Sequence, residues 1–207
     1  MAQLREQQKA TRRRDILIAA STLFRREGYE ETRVEKIAEL AKLSTGTIYN
    51  YFPTKGDLLL AVVLLDGDAS LAEGAALIAD PPDDALDAVD RLMRIYIDYA
   101  LTHLDAKLWC SVMATALNQS RSEFGRGYFN LSQRLTDQLA ELVTTLHRQG
   151  KLALTIDAAL AGRLLFNTMD HLFMHYITSD EMDRASLDRG LHQQNEALLL
   201  GVAQPPA

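Results

Sequence analysis

Apolar residues recur every three or four positions along almost the whole chain. No stretch alternates apolar and polar residues as a half-buried strand does. A first helix is predicted from Arg12 to Glu27, with Ile16, Ala20, Leu23 and Phe24 on one stripe and Gly28 as its stop. Val34, Ile37, Ala38 and Ala41 line a second, short helix. Thr32 stands where its N-cap belongs, with Glu35 three residues on as in a capping box. Ser44 can cap a third helix over Thr45 to Tyr51, which Pro53 breaks. Thr54 and Asp57 repeat the capping pattern, and a fourth helix is predicted from Lys55 to about Ala79. Its stretch "LLLAVVLL" is apolar all round, the mark of a helix buried on two sides, so it is expected to link a small head to a larger body.

The segment "ADPPDDAL" is the clearest internal boundary. Asp80 is placed to cap, Pro81 and Pro82 suit a helix start, and Asp83 and Asp84 suit the positive end of a helix dipole. The next helix carries Leu86, Val89, Met93, Tyr96, Ala100 and Leu104 at helical spacing. Further helices are predicted over about 106–119, 122–149, 157–177 and 183–202, and the tail "AQPPA" is expected to fray. The expected fold class is all-α: a three-helix head over residues 1–55 and a helical remainder over 56–207.

Composition narrows this further. Hydrophobic residues make up 47% of 207, enough for a core. The single Cys110 excludes an internal disulfide framework and a cysteine zinc site, and suits a reducing cytoplasm. No apolar run approaches the roughly 20 residues that span a bilayer. The net charge of −6 is uneven: residues 1–55 hold 11 Lys and Arg against 7 Asp and Glu, hence +4, and residues 56–207 hold 11 against 21, hence −10. A basic head on an acidic body suits nucleic-acid binding.

The third helix, "TGTIYNY", is short, polar and slim. A helix, a tight turn and a second short helix outline a helix-turn-helix, whose second helix enters a major groove about 12 Å wide. Thr45, Gly46 and Thr47 are small enough to approach DNA, Tyr49 and Tyr51 offer hydroxyls at phosphate distance, and the Asn50 amide can pair with adenine. Ile48 and Phe52 are expected to face the core.

From Ile16 to Leu60 the chain reads "ILIAASTLFRREGYEETRVEKIAELAKLSTGTIYNYFPTKGDLLL". The order Phe-x-x-x-Gly-Tyr, a Thr before the second helix, Ile-Ala within it, then Gly-Thr-Ile-Tyr-x-Tyr-Phe-x-x-Lys resembles the N-terminal domain of TetR-family transcriptional regulators. Gly56 departs from it, where a bulkier residue is common. The resemblance implies phosphate contacts from Thr32, Arg33 and Lys55, and a reading face of Ser44, Thr45, Thr47, Tyr49, Asn50 and Tyr51. It also implies a homodimer joined through the last two helices, for which Leu165, Met169, Leu172 and Tyr176, with Leu187, Leu191 and Leu198, supply apolar faces. A small-molecule chamber is implied in the body. Tyr96, Trp109, Met113 and Asn118, with Phe124, Tyr128 and Phe166, are its candidate lining, suited to an apolar or aromatic inducer.

The expected function is a ligand-responsive regulator, a repressor or an activator built from the same parts, acting on a palindromic operator. The inducer would change the tilt of the fourth helix. No cofactor or metal is expected: His171 and His175 stand four apart, but the residues between them hold no acidic base. Two rival readings are a small helical enzyme, against which no nucleophile–base constellation is found, and an architectural DNA protein without a ligand.

Overall fold

The structure, a computed structural model, describes residues 2–154 and 156–202. The tail from Ala203 lies outside the described residues. Those residues form helices only: α1 (Ala2–Glu27), α2 (Val34–Leu40), α3 (Thr45–Tyr51), α4 (Lys55–Ala79), α5 (Ala85–His103), α6 (Ala106–Asn118), α7 (Glu123–Arg148), α8 (Ala158–Thr178) and α9 (Arg184–Val202). None is long and apolar enough to cross a membrane.

Three boundaries differ from the sequence reading. α1 begins at Ala2 rather than Arg12. The added segment has no apolar stripe to betray it, although Ala, Gln, Glu, Lys and Arg are all good helix formers. The N-cap of α2 is Arg33, not Thr32, and no side chain caps it. The N-cap of α5 is Asp84, which accepts the Asp87 N–H at 2.9 Å, so Asp80, Pro81 and Pro82 belong to the connection. The Thr54–Asp57 box forms in both directions, with N–H donors at 2.9 and 3.1 Å.

The contacts divide the chain into two compact units. The first comprises residues 1–66 and 101–128, the second 67–100 and 129–207. In the first, Ile16, Ala20, Leu23 and Phe24 of α1 are buried with Ile37 of α2, Ile48 of α3 and Leu58, Leu59 and Val62 of α4. Burying a side chain such as Ile48 stabilises by roughly 1.5–3 kcal/mol. Phe24 meets Tyr29 edge to face at 5.3 Å between ring centres. In the same unit the buried Asp66 carboxylate lies 2.6 Å from His103 Nδ1; burial raises its pKa against the opposing pull of His103.

In the second unit small residues let elements meet. A Cβ on Gly162 of α8 would stand 2.6 Å from the Ala140 backbone nitrogen of α7. The Tyr96 hydroxyl donates to Gln138 Oε1 at 2.8 Å, and Gln138 Nε2 donates to the Leu71 carbonyl at 2.8 Å. Asp90 joins α5 to α9: His192 Nδ1 lies 2.6 Å from one carboxylate oxygen, and Asn195 Nδ2 donates to the other at 2.9 Å.

Candidate nucleic-acid interface

The turn before α3 is built by backbone hydrogen bonds. The Leu43 N–H donates to Ala38 O at 2.9 Å and the Lys42 N–H to Glu39 O at 3.1 Å. This is a Schellman closure, with Lys42 left-handed at φ 56° where glycine is the usual choice. The chain then re-enters a helix at Ser44, whose Oγ accepts the Thr47 N–H at 3.1 Å.

α3 has two faces. Ile48 is fully buried and Phe52, its C-cap, is 4% exposed, so the inner side is anchored. On the other side Tyr49 is 45% exposed, and Gly46 and Asn50 are exposed, while Thr45, Thr47 and Tyr51 are half-buried. A Cβ on Gly46 would meet nothing nearer than Ser44 Oγ at 3.9 Å, so the fold does not itself require glycine there. Ser44 Oγ and Thr47 Oγ1 share a hydrogen bond of 2.8 Å, which fixes both hydroxyls at the edge of the face.

Two of the residues expected at phosphates are engaged within the head, and burial of Thr32 removes it from the surface. Thr32 is 2% exposed, and its hydroxyl donates to Gly28 O at 2.7 Å and Leu23 O at 3.2 Å. It ties off the end of α1, whose stop is Gly28 at φ 89°. Lys55 is half-buried, and its Nζ donates to Tyr29 O at 2.8 Å, Glu30 O at 3.0 Å and Thr32 O at 3.4 Å. It also lies 4.6 Å over the Tyr29 ring centre. An ammonium has three N–H groups, and all three are engaged within the head. Arg33 is exposed.

A further contact escaped the sequence reading. The Arg13 guanidinium lies 5.4 Å over the Phe52 ring centre, which brings the middle of α1 beside the end of α3. Arg13 and Phe52 are far apart in sequence, and no local signal joins them.

The other candidate sites are placed as follows. In the first unit, Trp109 and Phe124 are buried, Met113 and Tyr128 half-buried, and Asn118 exposed. In the second, Tyr96 is buried with its hydroxyl committed to Gln138, and Phe166 is half-buried. Leu165, Met169, Leu172, Leu187 and Leu191, expected at a dimer face, are buried within the single chain, and Tyr176 and Leu198 are half-buried. Leu164, on the same expected apolar face, is exposed, as are Leu160 and Met174 of α8. Cys110 is half-buried, and His171 and His175 are exposed. Among the described residues no group of three or more His, Cys, Asp or Glu is placed to hold a metal.

Residues 16–62 match the family model described as bacterial regulatory proteins, tetR family. The Aromatoleum sp. regulator HbdR is 50% identical over 48 residues, 23% of this chain and 21% of that protein. The Bacillus subtilis fatty acid metabolism regulator protein is 25% identical over 187 residues, 84% of this chain and 88% of its own. The crystal structure of Thermus thermophilus FadR, a TetR-family transcriptional repressor in complex with lauroyl-CoA, superposes with a TM-score of 0.68 at 27% identity, covering 94% of this chain and 98% of that one. With residues 16–62 matched by the family model and its helices matched over nearly their whole length, this chain is similar throughout to helix-turn-helix transcription regulators of the TetR family.

Proposed function

We propose that the chain is a repressor that binds a palindromic operator as a dimer and leaves it on binding an effector with a fatty acyl chain. The observation that carries the DNA reading is α3: anchored inward by Ile48 and Phe52, it turns Gly46, Tyr49 and Asn50 outward. The reading helix is thus slim, polar and held from behind, as entry into a major groove requires. Residues 1–55 form the DNA-binding part and 56–207 the effector and dimer part.

A dimer follows from economy of recognition, because one seven-residue helix touches few bases. Two such helices on a two-fold axis would read half-sites roughly 34–36 Å apart. The outward Leu160, Leu164 and Met174 of α8 are apolar surface for such a contact. The acyl reading is supported by two relatives that span most of the chain, one named for fatty acid metabolism and one crystallised with lauroyl-CoA. It narrows the apolar inducer expected from the sequence. Action on DNA places the protein in the cytoplasm.

Selection of bound sequences from random duplex DNA tests the reading. The expected result is a site with inverted half-sites, bound by two chains and released by lauroyl-CoA but not by CoA alone. Enrichment of no common sequence would end the operator assignment. Release by CoA alone would end the acyl assignment and leave the operator standing.

A further inference from the structure

The charge of the head is not where the reading helix is. Residues 1–14 hold Arg5, Lys9, Arg12, Arg13 and Arg14 against Glu6, hence +4. Residues 15–55, which include α2 and α3, hold six Lys and Arg against six Asp and Glu, hence zero. Most of the positive excess of residues 1–55, +3 over residues 1–15 against +1 over residues 16–55, therefore lies ahead of the family-matched segment, which begins at residue 16.

This segment has a fixed geometry, because α1 runs unbroken from Ala2. At 100° per residue, Lys9, Arg12 and Arg13 continue the stripe that further along is buried as Ile16, Ala20 and Leu23. The face that packs on the core thus becomes a cationic face where the core ends. Arg13 anchors it against Phe52, next to Tyr51 of α3. Residues 6–15 are all exposed, and Lys9, Arg12 and Arg14 enter no ion pair among the described residues. Ala2 to Arg14 spans roughly 20 Å at 1.5 Å per residue, enough to follow several phosphates of one strand.

We infer that the cationic stripe of α1 before Ile16 is a second DNA-contacting surface, which grips the sugar–phosphate backbone beside the half-site read by α3. The inference rests on the operator reading above. It assigns affinity and sequence choice to different elements: phosphate contacts set register and strength, base contacts set specificity. It also supplies the phosphate grip that Thr32 and Lys55, turned inward, do not.

The test is the full-length double variant Lys9→Gln/Arg12→Gln, which leaves the Arg13–Phe52 contact in place. Gln matches Lys and Arg in helix propensity, so circular dichroism should be unchanged. Binding to the selected operator and to a scrambled duplex is measured over a salt series, with Tyr49→Ala as the contrast. Each lost phosphate contact should flatten the plot of log affinity against log salt by about 0.9, so by about 1.8 per protomer. For the dimer the slope should flatten by about 3.6, which at 0.1 M salt corresponds to a loss of roughly 4,000-fold, about 60-fold per protomer, extrapolated from 1 M. The loss should be equal on both duplexes, whereas Tyr49→Ala should lose more on the operator. An unchanged slope, or a loss confined to the operator, overturns the inference while operator binding by the unmodified chain keeps the regulator reading. Failure of the unmodified chain to select any duplex overturns both.

Discussion

Lys55→Met asks what the ammonium of Lys55 does. Met keeps an unbranched stem and good helix propensity but has no donor. The change strips hydrogen bonds of 2.8 and 3.0 Å from Tyr29 O and Glu30 O, and a longer one of 3.4 Å from Thr32 O. A hydrogen bond from a charged donor contributes about 1.5–3 kcal/mol, and the contact with the Tyr29 ring about 0.5–1. The site is half-buried, so water regains part of the carbonyls. A net loss of about 2 kcal/mol is expected, which lowers Tm by about 4–8 °C in a chain of this size. Because Nζ already has its three acceptors, the salt dependence of DNA binding should hold its slope at temperatures where the variant is folded. Thermal melts and a salt series read both quantities. An unchanged Tm together with a slope flattened by about 0.9 would refute the argument and return Lys55 to the phosphate.

Gly46→Ala should raise stability by about 0.5–1 kcal/mol, since a Cβ finds room in the fold and glycine weakens helices, yet should lower operator affinity by crowding the DNA. Paired melts and titrations test this, and unchanged affinity would remove Gly46 from the interface. Gly162→Ala should cost about 1–3 kcal/mol, because its Cβ would stand 2.6–2.7 Å from Ala140; equal denaturant midpoints would show that α7 and α8 yield freely. The His192 imidazole should titrate above its usual 6.5, raised first by its hydrogen bond to Asp90 and then by that charge. A folded pKa above the unfolded one means a stability increment complete below pH 6.5 and lost as pH rises through the higher value. Proton NMR of His192 should show the shift, and Asp90→Asn should return it to the ordinary range.

The sequence discloses what local rules decide. Gly28, Ser44 and Thr54 with Asp57 end or begin helices where the pattern predicts, because each acts within a few residues. The two-faced α3 was legible because Ile48 and Phe52 must face inward together. Lys42 was silent, since the left-handed turn it forms is ordinarily announced by glycine. Thr32 was misassigned because a Thr before a helix is a good cap in isolation. Only the fold reveals that the end of α1 captures its hydroxyl. The acceptors of Lys55 were hidden for the same reason, lying more than twenty residues back. The apolar faces of α8 and α9 looked available to a partner, but sequence cannot tell an apolar stripe that meets its own chain from one that meets another.

A chain of net charge −6 can still hold a polyanion if its charges are segregated, and here they are. The acidic excess lies in residues 56–207 and the basic excess in residues 1–14, with residues 15–55, proposed to read bases, neutral between them. At physiological ionic strength charges fade over about 8 Å, so carboxylates beyond that distance from a phosphate oppose binding weakly. Cations at contact release counterions regardless of net charge. A neutral reading segment then has a physical advantage. On the proposed reading its own grip on arbitrary DNA would be weak, and more of its binding energy would depend on bases facing α3. If α1 grips the backbone as inferred, strength could be raised or lowered there without disturbing that choice.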